Sequence, residues 1–79
     1  MTMSRILITG AAGSIGKELV KHCLDKYEAI CAFDNNEDGL FNLRSEINVD
    51  FPNSHHKLRY FLGDIRDQER LINAFKDVE

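Results

Sequence analysis

Short apolar runs and amphipathic stretches alternate three times along the chain. Residues 5–9 (Arg5-Ile6-Leu7-Ile8-Thr9) show no helical period and end at a glycine, which predicts a buried strand. Beyond that glycine, Ile15, Leu19, Val20, Cys23, Leu24 and Tyr27 recur at helical spacing. Lys17, Glu18, Lys21, Asp25 and Lys26 fall largely on the other side, which predicts an amphipathic helix of about three turns. Ala29-Ile30-Cys31-Ala32-Phe33 reads as a second buried strand, stopped by the turn-rich polar stretch Asp34-Asn35-Asn36-Glu37-Asp38-Gly39. Leu40, Leu43 and Ile47 space as i, i+3, i+7 and mark a second helix, and residues 49–56, with Pro52, read as the connection out of it. Residues 58–62 (Leu58-Arg59-Tyr60-Phe61-Leu62) form a third strand closed by Gly63-Asp64. Asp67 is placed to cap a third helix whose apolar stripe is Leu71, Ile72, Phe75 and Val78.

Strands that are apolar on both faces, alternating with helices, predict an α/β fold with a parallel sheet covered by helices and joined by right-handed crossovers. Three strand–helix rounds make a partial doubly wound sheet. Residues 1–79 therefore read as the N-terminal part of a larger Rossmann-like domain. An unfinished sheet exposes a strand edge, so edge association or a homo-oligomer is expected.

Composition narrows the classes without changing that picture. A chain of 79 residues with 43% apolar residues can build one core, though one that buries only about 60% of the unfolded surface. The net charge of −3, with both signs interspersed, offers no basic patch for nucleic acid or an anionic membrane. The longest apolar run, Ala29 to Phe33, is far short of the roughly 20 residues needed to span a bilayer. The apolar run near the start is too short for a secretory signal, so the expected location is cytoplasmic. Cys23 and Cys31 follow no zinc or redox spacing and read as reduced, buried thiols.

The candidate chemistry lies in Thr9-Gly10-Ala11-Ala12-Gly13-Ser14-Ile15-Gly16, between the first strand and the first helix. A strand that turns sharply into a helix needs a residue free of Cβ constraints. A second glycine admits a diphosphate against the backbone, and a third lets helix and strand pack closely. The free amides and the positive end of the helix dipole then face the anion. The spacing is G-x-x-G-x-x-G, distinct from the commonest dinucleotide pattern. A nucleoside triphosphate loop fails at two positions: Ala11 stands where its first glycine belongs, and Glu18 follows Lys17 where a hydroxyl is required.

Asp34 follows the second strand, 18 residues beyond Gly16, where a carboxylate accepts hydrogen bonds from an adenosine ribose and repels a 2′-phosphate. Asn35 and Asn36 come next, with no Lys or Arg before Arg44, which favours NAD while leaving NADP possible. A calcium loop is the rival reading of Asp34, Asn36, Asp38 and Gly39, but its twelfth position is Ser45 and a strand-like segment precedes it. A solvated turn is the bland one. His22 lies on a polar helix face, and His55-His56 in a connection has no third ligand implied. No metal site is expected.

With Gly63-Asp64-Ile65-Arg66-Asp67 added, the chain resembles the extended short-chain dehydrogenase/reductase family over essentially its whole length. Within it, residues 6–20 and 60–71 look most like the CapD-type polysaccharide biosynthesis proteins, nucleotide-sugar 4,6-dehydratases. The resemblance implies that Gly10, Gly13 and Gly16 form the phosphate turn, with backbone groups of Ser14 and Ile15 on the diphosphate. It implies Asp34 on the ribose with Asn35 beside it, Asp64 facing the adenine amino group and the Ile65 backbone a ring nitrogen. For Asp64, a turn or helix-entry role is the alternative.

The family's catalytic Tyr-x-x-x-Lys pair is missing: Cys31 stands four after Tyr27, and Asp64 four after Tyr60. The expected function is therefore to bind the ADP half of a nicotinamide dinucleotide. The implied parent is a nucleotide-sugar 4,6-dehydratase or epimerase, with the nucleotide sugar as its substrate. There a hydride leaves C4, water is eliminated across C5 and C6, and the hydride returns at C6. A stand-alone nucleotide-binding or regulatory module without catalysis is the other reading.

Overall fold

The structure, a computed structural model, describes residues 3–76 and the side chains of residues 5–73. Strand β1 (Met3–Thr9) leads into helix α1 (Ser14–Cys23), strand β2 (Tyr27–Asp34) and helix α2 (Glu37–Asp50). A single 3₁₀ turn (His55–Lys57) precedes strand β3 (Leu58–Leu62) and helix α3 (Gln68–Lys76). The sheet order is β1-β2-β3 and both pairings are parallel. This is the expected Rossmann-like arrangement. The register sets Thr9 opposite Phe33, and Phe33 opposite Phe61, so the three strands end in line and their bends share one edge.

The two faces of β2 are covered by different helices, because successive strand residues point to opposite sides. Ile30 and Ala32 join Ile8 and Leu58 beneath α1 and α2, which contribute Val20, Cys23, Leu40, Leu43 and Ile47. Cys31 and Phe33 face the other way and pack with Leu7, Phe61 and Leu71 of α3. Both cysteines are buried and unbridged, as expected. Leu43 and Ile47 are fully buried, each contributing about 2 kcal/mol of transfer free energy. Lys17 and Lys21 of α1 both reach Glu46 of α2, at 3.0 and 3.4 Å, and hold its carboxyl below the usual carboxylate range. At such an exposed site the pair contributes little to stability.

Several expectations about the elements change. Helix α1 ends at Cys23 and Tyr27 opens β2 opposite Met3, rather than continuing the helical stripe. Ile15 and Leu19, expected on the buried stripe, are 86% and 45% exposed. The buried stripe instead runs through Val20, Cys23 and Leu24, with half-buried Gly16 at its head, where α1 approaches the β1 turn so closely that only glycine fits. Glu37, Asp38 and Gly39 belong to α2 and not to a turn, since the Asn36 side chain accepts from the Gly39 amide and caps the helix. Two acidic residues in the first turn suit its dipole. The same helix runs to Asp50, so the connection begins later than the expected residue 49. Phe51 leaves the helical region ahead of Pro52, whose ring disfavours helix in the preceding residue.

Asp67 caps α3 as expected, its carboxylate accepting from the Arg70 amide at 3.1 Å. Val78 of the expected α3 stripe lies outside the described residues, as does the side chain of Phe75. Among the described residues no helix is long and apolar enough to cross a membrane.

Candidate functional site: a cleft at the carboxyl ends of the strands

The in-line strand ends bring the bends after β1, β2 and β3 together, and backbone hydrogen bonds join them. The Ala11 amide donates to the Phe33 carbonyl at 3.3 Å, and the Gly63 amide to the Asp34 carbonyl at 3.0 Å. The end of β2 is thereby tied to the bends on both sides.

The glycine turn follows from its residues. Gly10 has φ +65°, the left-handed region that side chains with a Cβ rarely adopt. The Gly13 amide then folds back on the Gly10 carbonyl at 3.1 Å. A methyl group at Gly16 would fall on that same carbonyl, so the third glycine is needed for close packing. Gly13 differs: a methyl there would meet only the Gly10 oxygen, at an ordinary 3.4 Å. Its outward side is open.

Gly13 caps α1 without a side-chain hydrogen bond, and no acidic residue stands in the first turn. Helical geometry leaves the leading amides without partners in the helix. Those of Ser14, Ile15 and Gly16 precede the first helical bond, from the Lys17 amide to the Gly13 carbonyl at 2.9 Å.

Beside this turn an open cleft of about 270 Å³ lies over the strand ends. Of the residues singled out in the sequence, Gly10, Asp34, Asn35, Asp64 and Ile65 line it, and Thr9, Phe33 and Gly63 complete the wall. Gly13, Ser14 and Ile15 are exposed on the adjoining turn, outside that wall, and Gly16 is half-buried behind them.

The Asp34 carboxylate is held by two amides. Oδ2 accepts from Ala12 and Oδ1 from Asn36, each at 2.9 Å. Asp64 is held by Arg66, whose guanidinium lies 2.7 Å from Oδ2 while its backbone amide donates to Oδ1 at 2.9 Å. These hydrogen bonds, chiefly the side-chain ones, lower the Asp64 pKa from 3.8 to about 2. Asp64 is thus a turn residue and a wall residue at once. Among the described residues no three His, Cys, Asp or Glu side chains gather as metal ligands, and Asp38 sits in α2 and not in a loop.

Sequence reasoning missed two supports of the site. Gly39 lets α2 press its first turn against the glycine turn, where a methyl group would come within 2.6 Å of the Ala12 Cβ. Gly63 leaves room for the Phe33 ring and Arg70, whose Nε donates to the Leu62 carbonyl at 2.7 Å. Their only signal was a glycine beside an otherwise regular element.

Known proteins align with this arrangement. A UDP-N-acetylglucosamine 4,6-dehydratase (inverting) of Campylobacter jejuni is 40% identical over 76 residues, and an uncharacterized membrane protein of Methanocaldococcus jannaschii 44% identical over 75. Each match takes in 94% of this chain, which spans about a fifth (21%) of the length of either relative. Among solved structures, Pen from Bacillus thuringiensis superposes with a TM-score of 0.79 at 31% identity, over 94% of this chain and 22% of that one. The C-domain with NADP of a bacterial malonyl-CoA reductase superposes at 0.76 with 18% identity, over 98% and 13%, a likeness of fold. Residues 6–79 match the family described as polysaccharide biosynthesis protein. That match takes in nearly the whole chain, and the chain belongs to this family, with the extended short-chain dehydrogenase/reductase architecture its motifs resemble.

Proposed function

We propose that this chain binds the ADP half of a nicotinamide dinucleotide, and that the whole protein is a nucleotide-sugar 4,6-dehydratase or epimerase of polysaccharide biosynthesis. The observation that carries the reading is a convergence. Gly10 and Asp34 line one cleft over the strand ends, and the open side of Gly13 and the uncapped start of α1 adjoin it. A crevice at the carboxyl ends of parallel strands is where open α/β sheets bind ligands.

The residues present fit the cofactor's chemistry. The amides of Ser14, Ile15 and Gly16 offer donors and the positive end of α1 to a diphosphate. Gly13 keeps that approach clear, since its missing side chain is not required by packing. Asp34 accepts from the adenosine ribose hydroxyls, and its charge with Asn35 beside it favours NAD over NADP. Asp64 and the Ile65 backbone form the adenine end of the wall. The dehydratase relative supports a nucleotide sugar as substrate, and the NADP of the reductase neighbour keeps NADP open. A nicotinamide bound here supplies reversible hydride acceptance, which this chain orients through its adenosine and diphosphate.

Calorimetric titration of the full-length protein with NAD, NADP and ADP tests the reading. NAD and ADP should both bind, NAD more tightly than NADP, and each should raise the melting temperature with concentration. Absence of heat and of thermal shift with NAD and ADP alike would overturn it. Incubation with a nucleotide sugar and NAD then separates an enzyme from a nucleotide-binding module: the enzyme yields a 4-keto or C4-inverted sugar nucleotide, the module none.

A further inference from the structure

We infer that Asp34 is the positioning residue of the glycine turn as well as a ribose acceptor, so that it governs the binding of ligands that carry no ribose hydroxyl. The inference rests on the cofactor reading above and adds a second role for one side chain.

The amides around the turn can be accounted for one at a time. Ala11 donates to the Phe33 carbonyl, Gly13 to the Gly10 carbonyl and Lys17 to the Gly13 carbonyl. Ala12, at the crest of the turn, donates to Asp34 Oδ2 at 2.9 Å, across 22 residues of sequence. The Ala12 amide is therefore directed to a protein carboxylate, and the amides of Ser14, Ile15 and Gly16 are the ones left for an anion. Of the two bonds from the turn to β2, the Ala11 backbone bond is long, at 3.3 Å, and the Asp34 bond is short and charge-assisted. Charge-assisted bonds are roughly twice as strong as neutral ones.

Asp34 is itself fixed from both sides. Asn36 donates to Oδ1 at 2.9 Å while Ala12 donates to Oδ2. An ionised carboxylate offers about four acceptor positions. Two are taken by these amides, and two remain for a vicinal pair of hydroxyls. The same carboxylate thus sets where the ribose sits and where the phosphate turn sits, and so the spacing between them.

A ligand pair separates the two roles: ADP, and 2′,3′-dideoxy-ADP, which lacks both ribose hydroxyls. Their affinities are measured by calorimetry on the full-length protein, alongside Asp34→Ala and Asp34→Asn. Hydrogen exchange of the Ala12 amide is followed without ligand. Asp34→Ala should weaken 2′,3′-dideoxy-ADP by about tenfold, ADP by more, and speed Ala12 exchange by about tenfold or more. Asp34→Asn keeps one oxygen, which can serve the Ala12 amide only with its NH2 group turned to the Asn36 amide, so it should restore part of the dideoxy affinity and of the exchange protection while leaving ADP weakened.

If Asp34→Ala leaves dideoxy binding within about twofold and Ala12 exchange unchanged, Asp34 acts on the ribose alone; the positioning role is overturned and the cofactor site stands. If Asp34→Ala does not fold, Asp34→Ser, whose hydroxyl is too short to reach the Ala12 amide, takes its place and is read by the same two measurements. A wild-type protein that binds neither ligand refutes the cofactor reading, and Ala12 exchange in Asp34→Asn and Asp34→Ala then decides by itself whether Asp34 holds the turn.

Discussion

The two ends of the sheet carry clefts of nearly equal size, about 270 Å³ where the strands end and about 290 Å³ where β2 begins, and they are built in opposite ways. At the first end α1 presents its amides with no capping side chain or acid before them. At the second it presents its carbonyls, and its last turn holds Lys21 and His22, where the helix dipole favours positive charge. Lys57 crosses to the Leu24 carbonyl there, at 2.6 Å. All five glycines, at positions 10, 13, 16, 39 and 63, lie at the first end. The second end is lined by long or bulky side chains such as Lys26 and Phe51. Volume therefore does not distinguish the ends. What distinguishes them is where backbone donors are left open and where missing side chains let something approach.

The comparison breaks hardest at Gly16. A side chain there must displace the Gly10 carbonyl, so Gly16→Val should destabilise the protein by about 3 kcal/mol and remove nucleotide binding with it. Chemical denaturation reads the first effect and calorimetry the second. A valine at Gly13 should divide the two. Packing leaves room for a Cβ at that position, so the melting temperature should move little. With its diphosphate kept off the amides, NAD should bind on the order of 100-fold more weakly, the equivalent of about one to two hydrogen bonds to a charged group. Unchanged NAD affinity in folded Gly13→Val would return the first end to the status of the second.

Sequence legibility divides along the same line. The strands and the glycine turn are local: short apolar runs, glycines at the bends after β1 and β3 and a carboxylate at the end of β2 can be read without knowing the fold, and the alternation of strands and helices implies parallel pairing. What could not be read depends on approach between distant elements. Ile15 and Leu19 fit a core stripe because apolar spacing scores side chains, and it cannot register that Gly16 is the position of close contact with the β1 turn. The Ala12 bond to Asp34 requires the β1–β2 register, which no spacing within one segment encodes. The start of α2 moved because Asn36, read as a turn residue, is a helix cap.

Asp34 and Asn35 sharpen the comparison by specificity. Asp34→Ala with Asn35→Arg removes the carboxylate proposed to hold the ribose and adds a guanidinium suited to a 2′-phosphate. Absolute affinity should fall for both dinucleotides because the Ala12 amide loses its acceptor. The NAD:NADP affinity ratio should shift toward NADP by about tenfold. A ratio that stays where it was would take Asp34 off the ribose.

The smallest effect expected is at the rim, where Asp64 and Arg66 pair in solvent. Hydrogen bonding by Arg66 stabilises the ionised carboxylate and brings its pKa to about 2 from 3.8. A carboxyl whose folded pKa is depressed adds stability above its unfolded value, and loses that contribution as pH falls through the folded one. The window here is therefore from about pH 4 down to about pH 2. Arg66→Ala should return the Asp64 carboxyl toward its ordinary titration, followed by carbon-13 NMR, and flatten that part of the acid-stability curve. The change in stability should be slight, because both partners are solvated and salt screens them. If the inflection stays near 2 in Arg66→Ala, the side-chain bonds are not its cause. The backbone amide of residue 66, which survives the substitution, would then be holding the carboxylate, and the rim would follow the rule already seen at Asp34, with main-chain donors fixing each acidic group of the cleft.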